Sequence, residues 1–229
     1  MPYYQYKNKK VYYRILGQGK PLIMIHGNTA SSKMFNSILK MYSKHFKVIL
    51  IDLPGHGKSE RLTQFPSDFW YENALACQTL IEKLALKDII ILGSSGGALI
   101  AINLGLEYPE NIKYIIADSF EGEYPLASYI QSLAKDREND KKKFLAKIVW
   151  RSWHGADWKN VVDADTKANV SFAEKSRSFF HQDISEMKIP CFLTGSLKDE
   201  YCDHLNKIYS DMLLKSAGLS MKKNFKNGT

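Results

Sequence analysis

The sequence predicts an α/β protein with a mostly parallel, doubly wound sheet, and three observations lead to this prediction. Short apolar segments typical of buried strands alternate with helix-like segments from residue 22 to residue 118. This alternation implies right-handed crossovers between parallel strands. Polar residues follow several of these strands, at the edge where such sheets bind their ligands. A glycine-rich turn at residues 93–97 joins one strand directly to a helix.

Each predicted element has a local signal in the sequence. The strands are short runs of aromatic, β-branched and other apolar residues, at positions 3–6, 11–16, 22–25, 46–51, 89–92, 112–117 and 188–195. The first two strands enclose a polar turn and form a hairpin. One helix follows Ser31 or Ser32, either of which can cap it, and a second spans residues 71–84. A third helix follows the glycine-rich turn, and a fourth spans residues 203–215.

Residues 119–186 interrupt the alternation of strands and helices. The segment is helical in character and rich in aromatic residues, among them Phe144, Trp150, Trp153, Trp158, Phe172, Phe179 and Phe180. Because it follows a sheet strand, we expect it to lie over the carboxyl edge of the sheet as a lid. The sequence therefore predicts an α/β core at residues 1–118, a helical cap insertion at residues 119–186 and a continuation of the core at residues 187–229.

The composition argues against several classes of protein. At 229 residues, with 45% hydrophobic and 24% charged residues, the chain suits one globular domain with an insertion. Its first ten residues lack the apolar centre of a signal peptide, and no apolar run approaches the ~20 residues of a membrane span. The net charge of +8 comes from scattered lysines, which favours solubility over binding to nucleic acid or a membrane.

The cysteines and histidines indicate neither a disulfide framework nor a metal site. Cys77, Cys191 and Cys202 are odd in number and lack metal-ligand spacing, and no pair of histidines has the spacing of metal ligands. We therefore expect a cytoplasmic protein without a metal site.

The turn Gly93-Ser94-Ser95-Gly96-Gly97 fits the pattern G-x-S-x-G, with Ser95 at its centre. A turn this tight from strand to helix strains its central residue and needs glycines where the backbone passes closely. It would lift the Ser95 hydroxyl above the sheet and point the first N–H groups of the helix at the same place. A plain connecting loop and a phosphate cradle are the alternatives. The turn lacks the Gly-Lys-Ser/Thr ending of a P-loop, so a nucleophile is favoured.

Four motifs together resemble the α/β-hydrolase fold family, specifically its small cap-bearing esterase-like and carbon–carbon-bond hydrolase-like members. They are His26-Gly27-Asn28, residues 52–59 with the sequence Asp-Leu-Pro-Gly-His-Gly-Lys-Ser, residues 93–97, and Gly195-Ser196-Leu197-Lys198-Asp199. Their order and spacing suit the family, and the resemblance covers essentially the whole chain.

The resemblance implies a role for each motif. Ser95 is similar to the nucleophile, and the backbone N–H groups of Asn28 and Gly96 are similar to an oxyanion hole. Asp199 is similar to the acid that orients the catalytic histidine, with Glu200 as a rival and a plain loop or capping role as the alternative. The family chemistry implies a small-molecule substrate and no cofactor.

The base has no clear counterpart in the sequence. The family places its histidine after one further strand, yet no histidine follows His204. Residues 221–229 look like the approach to that strand, so we expect a C-terminally truncated core without its last strand. His26 and His56 suit structural roles in their loops, His45 precedes a strand on the far side, and His204 suits the outside of a helix. His154 and His181 belong to the insertion and could face the pocket.

Trp150, Trp153 and His154 form the predicted source of substrate specificity, because indole N–H groups can bind an acyl oxygen or a carboxylate. Plain packing of a small helical layer is the alternative. The expected function is serine hydrolysis of a small ester, thioester or related acyl bond, weak in the absence of a histidine base. A non-catalytic binding protein on the same fold is one alternative. An acyltransferase or perhydrolase, which differs in what attacks the acyl-enzyme, is another.

Overall fold

The structure is a computed structural model that describes residues 2–175, 177–196, 205–215 and 222–226. Its strands are β1 (Tyr3–Tyr6), β2 (Lys9–Leu16), β3 (Lys20–Ile25), β4 (Phe46–Ile51), β5 (Ile89–Ser94), β6 (Ile112–Asp118), β7 (Cys191–Ser196) and β8 (Lys222–Lys226). Its α-helices are α1 (Asn36–Tyr42), α2 (Phe69–Lys83), α3 (Gly96–Glu107), α4 (Ala127–Asp140), α5 (Phe144–His154), α6 (Trp158–Ala173) and α7 (Leu205–Lys215). Short 3-10 turns occupy Ser32–Phe35, Pro109–Asn111 and Ile184–Glu186.

The strands form one sheet in the order β1-β2-β4-β3-β5-β6-β7-β8. The β1–β2 and β2–β4 pairs are antiparallel, and every other pair is parallel. The predicted α/β class with a mostly parallel sheet is therefore confirmed. The carboxyl ends of β3, β4, β5 and β6 lie at one edge, which brings the residues after these strands together.

The central strands are covered on both faces, which explains why they read as continuous apolar runs rather than alternating ones. Leu22 and Met24 of β3 pack with Leu39 of α1 on one face. Ile23 and Ile25 of the same strand belong to the larger core on the other face, which also contains buried residues of α2 and α3. Successive side chains of β3 thus serve two different helical layers, as in a doubly wound fold.

The expectation that the last strand is absent is wrong. β8 pairs with β7 in parallel, from Phe192 opposite Lys222 to Ser196 opposite Lys226. The segment Lys-Lys-Asn-Phe-Lys has none of the apolar alternation that indicates a strand. A strand at the edge of a sheet is held by backbone hydrogen bonds to one neighbour, so its side-chain pattern carries little signal.

Helices α4, α5 and α6 lie between β6 and β7, within the segment predicted as an insertion. α6 packs against both α4 and α5, and it also touches α2 of the core. Trp150, Trp158 and Val162 form a small apolar cluster separate from the cores on the sheet. No helix in the described part of the chain is long and apolar enough to cross a membrane.

Candidate active site

Ser95 lies between the last residue of β5 and the first residue of α3, and its side chain is exposed. Its backbone has φ +54° and ψ −125°, a conformation that a residue with a Cβ rarely adopts. The turn is tight enough that a Cβ on Gly93 would lie 2.0 Å from the carbonyl oxygen of Gly97. The structure therefore has the strained strand-to-helix turn that the G-x-S-x-G pattern predicts.

The loop after β3 runs beside this turn. A Cβ on Gly27 would lie 3.0 Å from the Cβ of Ser95 and 3.6 Å from its Oγ. A Cβ on Gly96 would lie 2.1 Å from Oδ1 of Asn28. Within the described residues, neither the N–H of Asn28 nor that of Gly96 donates a hydrogen bond. Two backbone donors without partners thus lie in the segments that flank Ser95.

His26 holds this loop in place as a neutral, fully buried side chain. The N–H of Leu53 donates to Nε2 at 3.0 Å, so the proton is on Nδ1, which lies 2.8 Å from the carbonyl oxygen of Gly27. Burial, with the neighbouring His56 as the next cause, lowers the pKa of His26 well below its usual range. Both ring nitrogens of His26 are therefore used in hydrogen bonds with backbone groups, in agreement with the predicted structural role of this residue.

Both ring nitrogens of His154 also form hydrogen bonds with the backbone of core loops. Nδ1 accepts from the N–H of Gly57 at 3.0 Å, and Nε2 donates to the carbonyl oxygen of Thr29 at 2.9 Å. Burial, followed by the neighbouring His56, lowers the pKa of His154 to about 4. His154 therefore joins the insertion to two core loops and has no nitrogen left for a substrate.

A family model described as the alpha/beta hydrolase fold matches residues 20–149. The chain belongs to the α/β-hydrolase fold family. Two curated relatives are named pimeloyl-[acyl-carrier protein] methyl ester esterase. The one from Wigglesworthia glossinidia brevipalpis is 36% identical over 185 residues, covering 75% of this chain and 63% of the relative. The one from Yersinia enterocolitica is 30% identical over 151 residues, covering 60% of this chain and 56% of the relative.

The chain thus spans less than two thirds of the length of these relatives. Among solved structures, one titled "Est816 as an N-Acyl homoserine lactone degrading enzyme" has a TM-score of 0.73, covers 99% of this chain and 92% of its own, and is 20% identical. At that identity the likeness shows the fold alone.

Two of the predicted specificity residues of this α/β-hydrolase pack against other side chains of the insertion. Trp150 is buried and stacks on Trp158 with ring centroids 5.6 Å apart. Trp153 packs against the same cluster. Together with the bonds of His154, these contacts favour the packing alternative, and substrate binding by the three residues stays a prediction.

The other histidines and the predicted acid lie as follows. His45 is exposed and directly precedes β4, in agreement with its predicted position before a strand. His56 has Nδ1 3.2 Å from the carbonyl oxygen of Pro54 and Nε2 3.3 Å from Oδ2 of Asp165. His181 is exposed, its Nε2 lies 2.7 Å from Oδ2 of Asp68, and its ring stacks on Tyr71. Asp199, Glu200 and His204 lie outside the described residues.

Sequence reasoning missed several residues around the loop after β3. Asp165 and Asn169 of α6 are buried and form hydrogen bonds with Thr29 and Asn28 of this loop. One signal could have found them. They are polar residues four positions apart on a helix face whose other buried members include Val161, Val162, Ala168 and Phe172.

Two acidic residues that follow or end β6 also received no role. Asp118 accepts from the Thr194 hydroxyl at 2.6 Å, and its backbone oxygen accepts from the N–H of Ser95 at 2.8 Å. Burial raises the pKa of Glu121 to about 8. Both belong to the carboxyl edge of the sheet.

Proposed function

We propose that the chain is a serine hydrolase that cleaves a small ester, thioester or related acyl bond. The observation that carries the proposal is the strained backbone of Ser95 between two segments whose N–H donors are unused. Membership of the α/β-hydrolase family and relatives named as methyl ester esterases support ester hydrolysis.

In the proposed mechanism, Oγ of Ser95 forms a bond to the acyl carbon and gives its proton to a base. The carbonyl electron pair moves onto oxygen, and the N–H groups of Asn28 and Gly96 bind the resulting oxyanion. Each such donor contributes roughly 3–4 kcal/mol to transition-state stabilisation. The intermediate then expels the alcohol or thiol, which takes the proton from the base, and water releases the acyl group by the same steps.

The three buried histidines do not supply the base of this mechanism. His26, His56 and His154 have both ring nitrogens directed at groups of the surrounding loops or of Asp165. We propose that Asp199 orients the catalytic histidine. These 229 residues contain no histidine after His204, so we expect them on their own to turn over slowly. Loss of the histidine in a well-studied serine protease lowers kcat on the order of 10⁶-fold.

Residues 119–186 are proposed to act as a cap that closes one side of the site. Helices α4, α5 and α6 supply this layer, and it contacts the loops after β3 and β4. The buried free thiols of Cys77 and Cys191 fit the reducing cytoplasm that we propose as the location.

A non-catalytic binding protein is the second candidate, because the ring nitrogens of three histidines nearest these loops are already engaged. A fluorophosphonate probe separates the two candidates. An activated Ser95 should become labelled, as shown by mass spectrometry of the peptide that contains it. Ser95→Ala should remove the label, whereas Ser94→Ala, a matched change one residue away, should retain it.

Hydrolysis of 4-nitrophenyl acetate gives the second readout. We expect slow turnover that Ser95→Ala changes little, because the residues of a triad act as a unit and the base is already missing. No labelling above that of the unfolded chain would favour the binding protein. A label that persists in Ser95→Ala would show that the nucleophile lies elsewhere.

A further inference from the structure

Thr29, at the end of the loop after β3, has an unusual backbone that the insertion holds at three points. Its φ is +53°, which is rare for a β-branched residue. Its N–H donates to Oδ2 of Asp165 at 3.0 Å, and its carbonyl oxygen accepts from His154 at 2.9 Å. Its hydroxyl accepts from Arg137 at 2.5 Å. Every one of these partners belongs to α4, α5 or α6.

The preceding residue is held by the same helix through its side chain. Nδ2 of Asn28 donates to Oδ1 of Asn169 at 2.8 Å. Nδ2 of Asn169 in turn donates to the backbone oxygen of Asp165 at 2.8 Å and lies 3.2 Å from its Oδ1. Asp165 and Asn169 are 1% and 2% exposed, so these bonds are made away from water.

We propose that Asp165 and Asn169 are positioning residues that set the direction of the Asn28 N–H from the insertion. The inference rests on the proposed function, in which that N–H binds the oxyanion. Asn169 fixes the side chain of Asn28. Asp165 fixes the peptide group between Asn28 and Thr29, because it accepts from the N–H of Thr29. With both held, the N–H of Asn28 has one direction before any substrate binds, which is the preorganisation that oxyanion stabilisation requires.

A purely stabilising role explains the pair poorly. A buried carboxylate is costly to desolvate, and a fully apolar set of residues in place of such a buried polar network is often equally stable or more stable. The insertion also has a separate attachment to the core. Arg61 donates to both carboxylate oxygens of Asp157, at 2.7 and 3.1 Å, and this pair does not touch Asn28 or Thr29. Asp165 and Asn169 instead bond directly to the loop that carries the oxyanion donor, and Oδ2 of Asp165 also lies 3.3 Å from Nε2 of His56 in the loop after β4.

The test measures the affinity of the 229-residue chain for phenylboronic acid. The boron forms a tetrahedral adduct with Oγ of Ser95 and places an oxygen where the oxyanion would lie, so binding reports on the hole without turnover. We expect Asp165→Leu and Asn169→Leu each to weaken this binding about tenfold or more. Asp165→Asn, which keeps an acceptor for Thr29, should recover most of the affinity.

Two control variants separate positioning from stability. Thr166→Val removes a hydrogen bond within α6, and Asp157→Asn weakens an attachment of the insertion that does not involve Asn28 or Thr29. Both should bind phenylboronic acid like the wild type. Melting temperatures are measured for every variant, and if Asp165→Leu does not fold, Asn169→Leu and Asp165→Asn decide the question.

The outcomes distinguish this inference from the function on which it rests. Equal phenylboronic acid affinity in wild type and Ser95→Ala would overturn both. Ser95-dependent binding that Asn169→Leu leaves unchanged would overturn the positioning role alone. An equal loss in Asp157→Asn would also overturn it, since any loosening of the insertion would then have the same effect.

Discussion

The backbone angles of Ser95 are strained for a residue with a Cβ. This strain should lower the free energy of unfolding by a measurable amount. Ser95→Gly and Ser95→Ala both remove the hydroxyl, but only the glycine relieves the strain at φ +54°. We expect Ser95→Gly to be about 1 kcal/mol more stable to urea unfolding than Ser95→Ala.

Ser94, in β5, provides the matched control for this prediction. In a strand, glycine is usually less stable than alanine, so Ser94→Gly should be the less stable member of its pair. If alanine were more stable than glycine at both positions, the strained conformation at Ser95 would be contradicted.

His154 should make the stability of the fold depend on pH. Its folded pKa of about 4 lies below the ordinary value of 6.5, so the unfolded chain binds more protons between these pH values. The stabilisation is complete above about pH 6.5 and is lost as the pH falls toward 4. His154→Gln, which can accept from Gly57 and donate to Thr29 without titrating, should flatten this dependence.

The expected change in slope is up to about 1.4 kcal/mol per pH unit. Urea unfolding of both proteins between pH 4 and pH 7 measures it. The shifted titration of His26 is present in both proteins and therefore cancels in the comparison. Identical slopes would mean that His154 is not held in its neutral form.

Local rules made part of the candidate site predictable from the sequence. The turn around Ser95 follows from glycine spacing between a strand and a helix, and parallel strands bring Asn28 to the same edge. The contributions of Asp165 could not be predicted in this way. Its partner Thr29 is 136 residues away in the sequence, and no local pattern encodes that contact.

At the scale of single elements, β8 covers the outer edge of β7, which would otherwise present unpaired backbone groups. Removal of residues 222–229 should therefore lower the melting temperature and promote self-association. A loss of at least about 1 kcal/mol is expected from the backbone hydrogen bonds alone. Removal of residues 227–229, which leaves β8 in place, is the matched control.

Static light scattering and thermal unfolding of the two shortened chains test this prediction. Equal monodispersity and equal melting temperatures would show that β8 does not protect β7. The strand itself was beyond sequence reasoning, because an edge strand with three lysines in five residues lacks the apolar signal that identified the buried strands.

For the whole molecule, the parallel sheet was predictable because the alternation of strands and helices leaves few possible topologies. The way in which the insertion meets the core was not. That contact is polar: Asp157, just before α6, forms a part-buried ion pair with Arg61, and His154 of α5 forms a buried hydrogen bond with Gly57. The aromatic content of the insertion indicated a packed layer, and gave no sign of these bonds.

The bonds between insertion and core also determine when the site can form during folding. Those of Asn28 to Asn169, of Thr29 to Asp165 and of His154 to Thr29 join residues 141, 136 and 125 positions apart. Contacts this distant form slowly, because the intervening chain must first be ordered. We expect refolding to restore the far-ultraviolet circular dichroism of the sheet before it restores binding of phenylboronic acid. During that interval the chain would have a formed strand-to-helix turn at Ser95 beside a loop still free to change its peptide orientations.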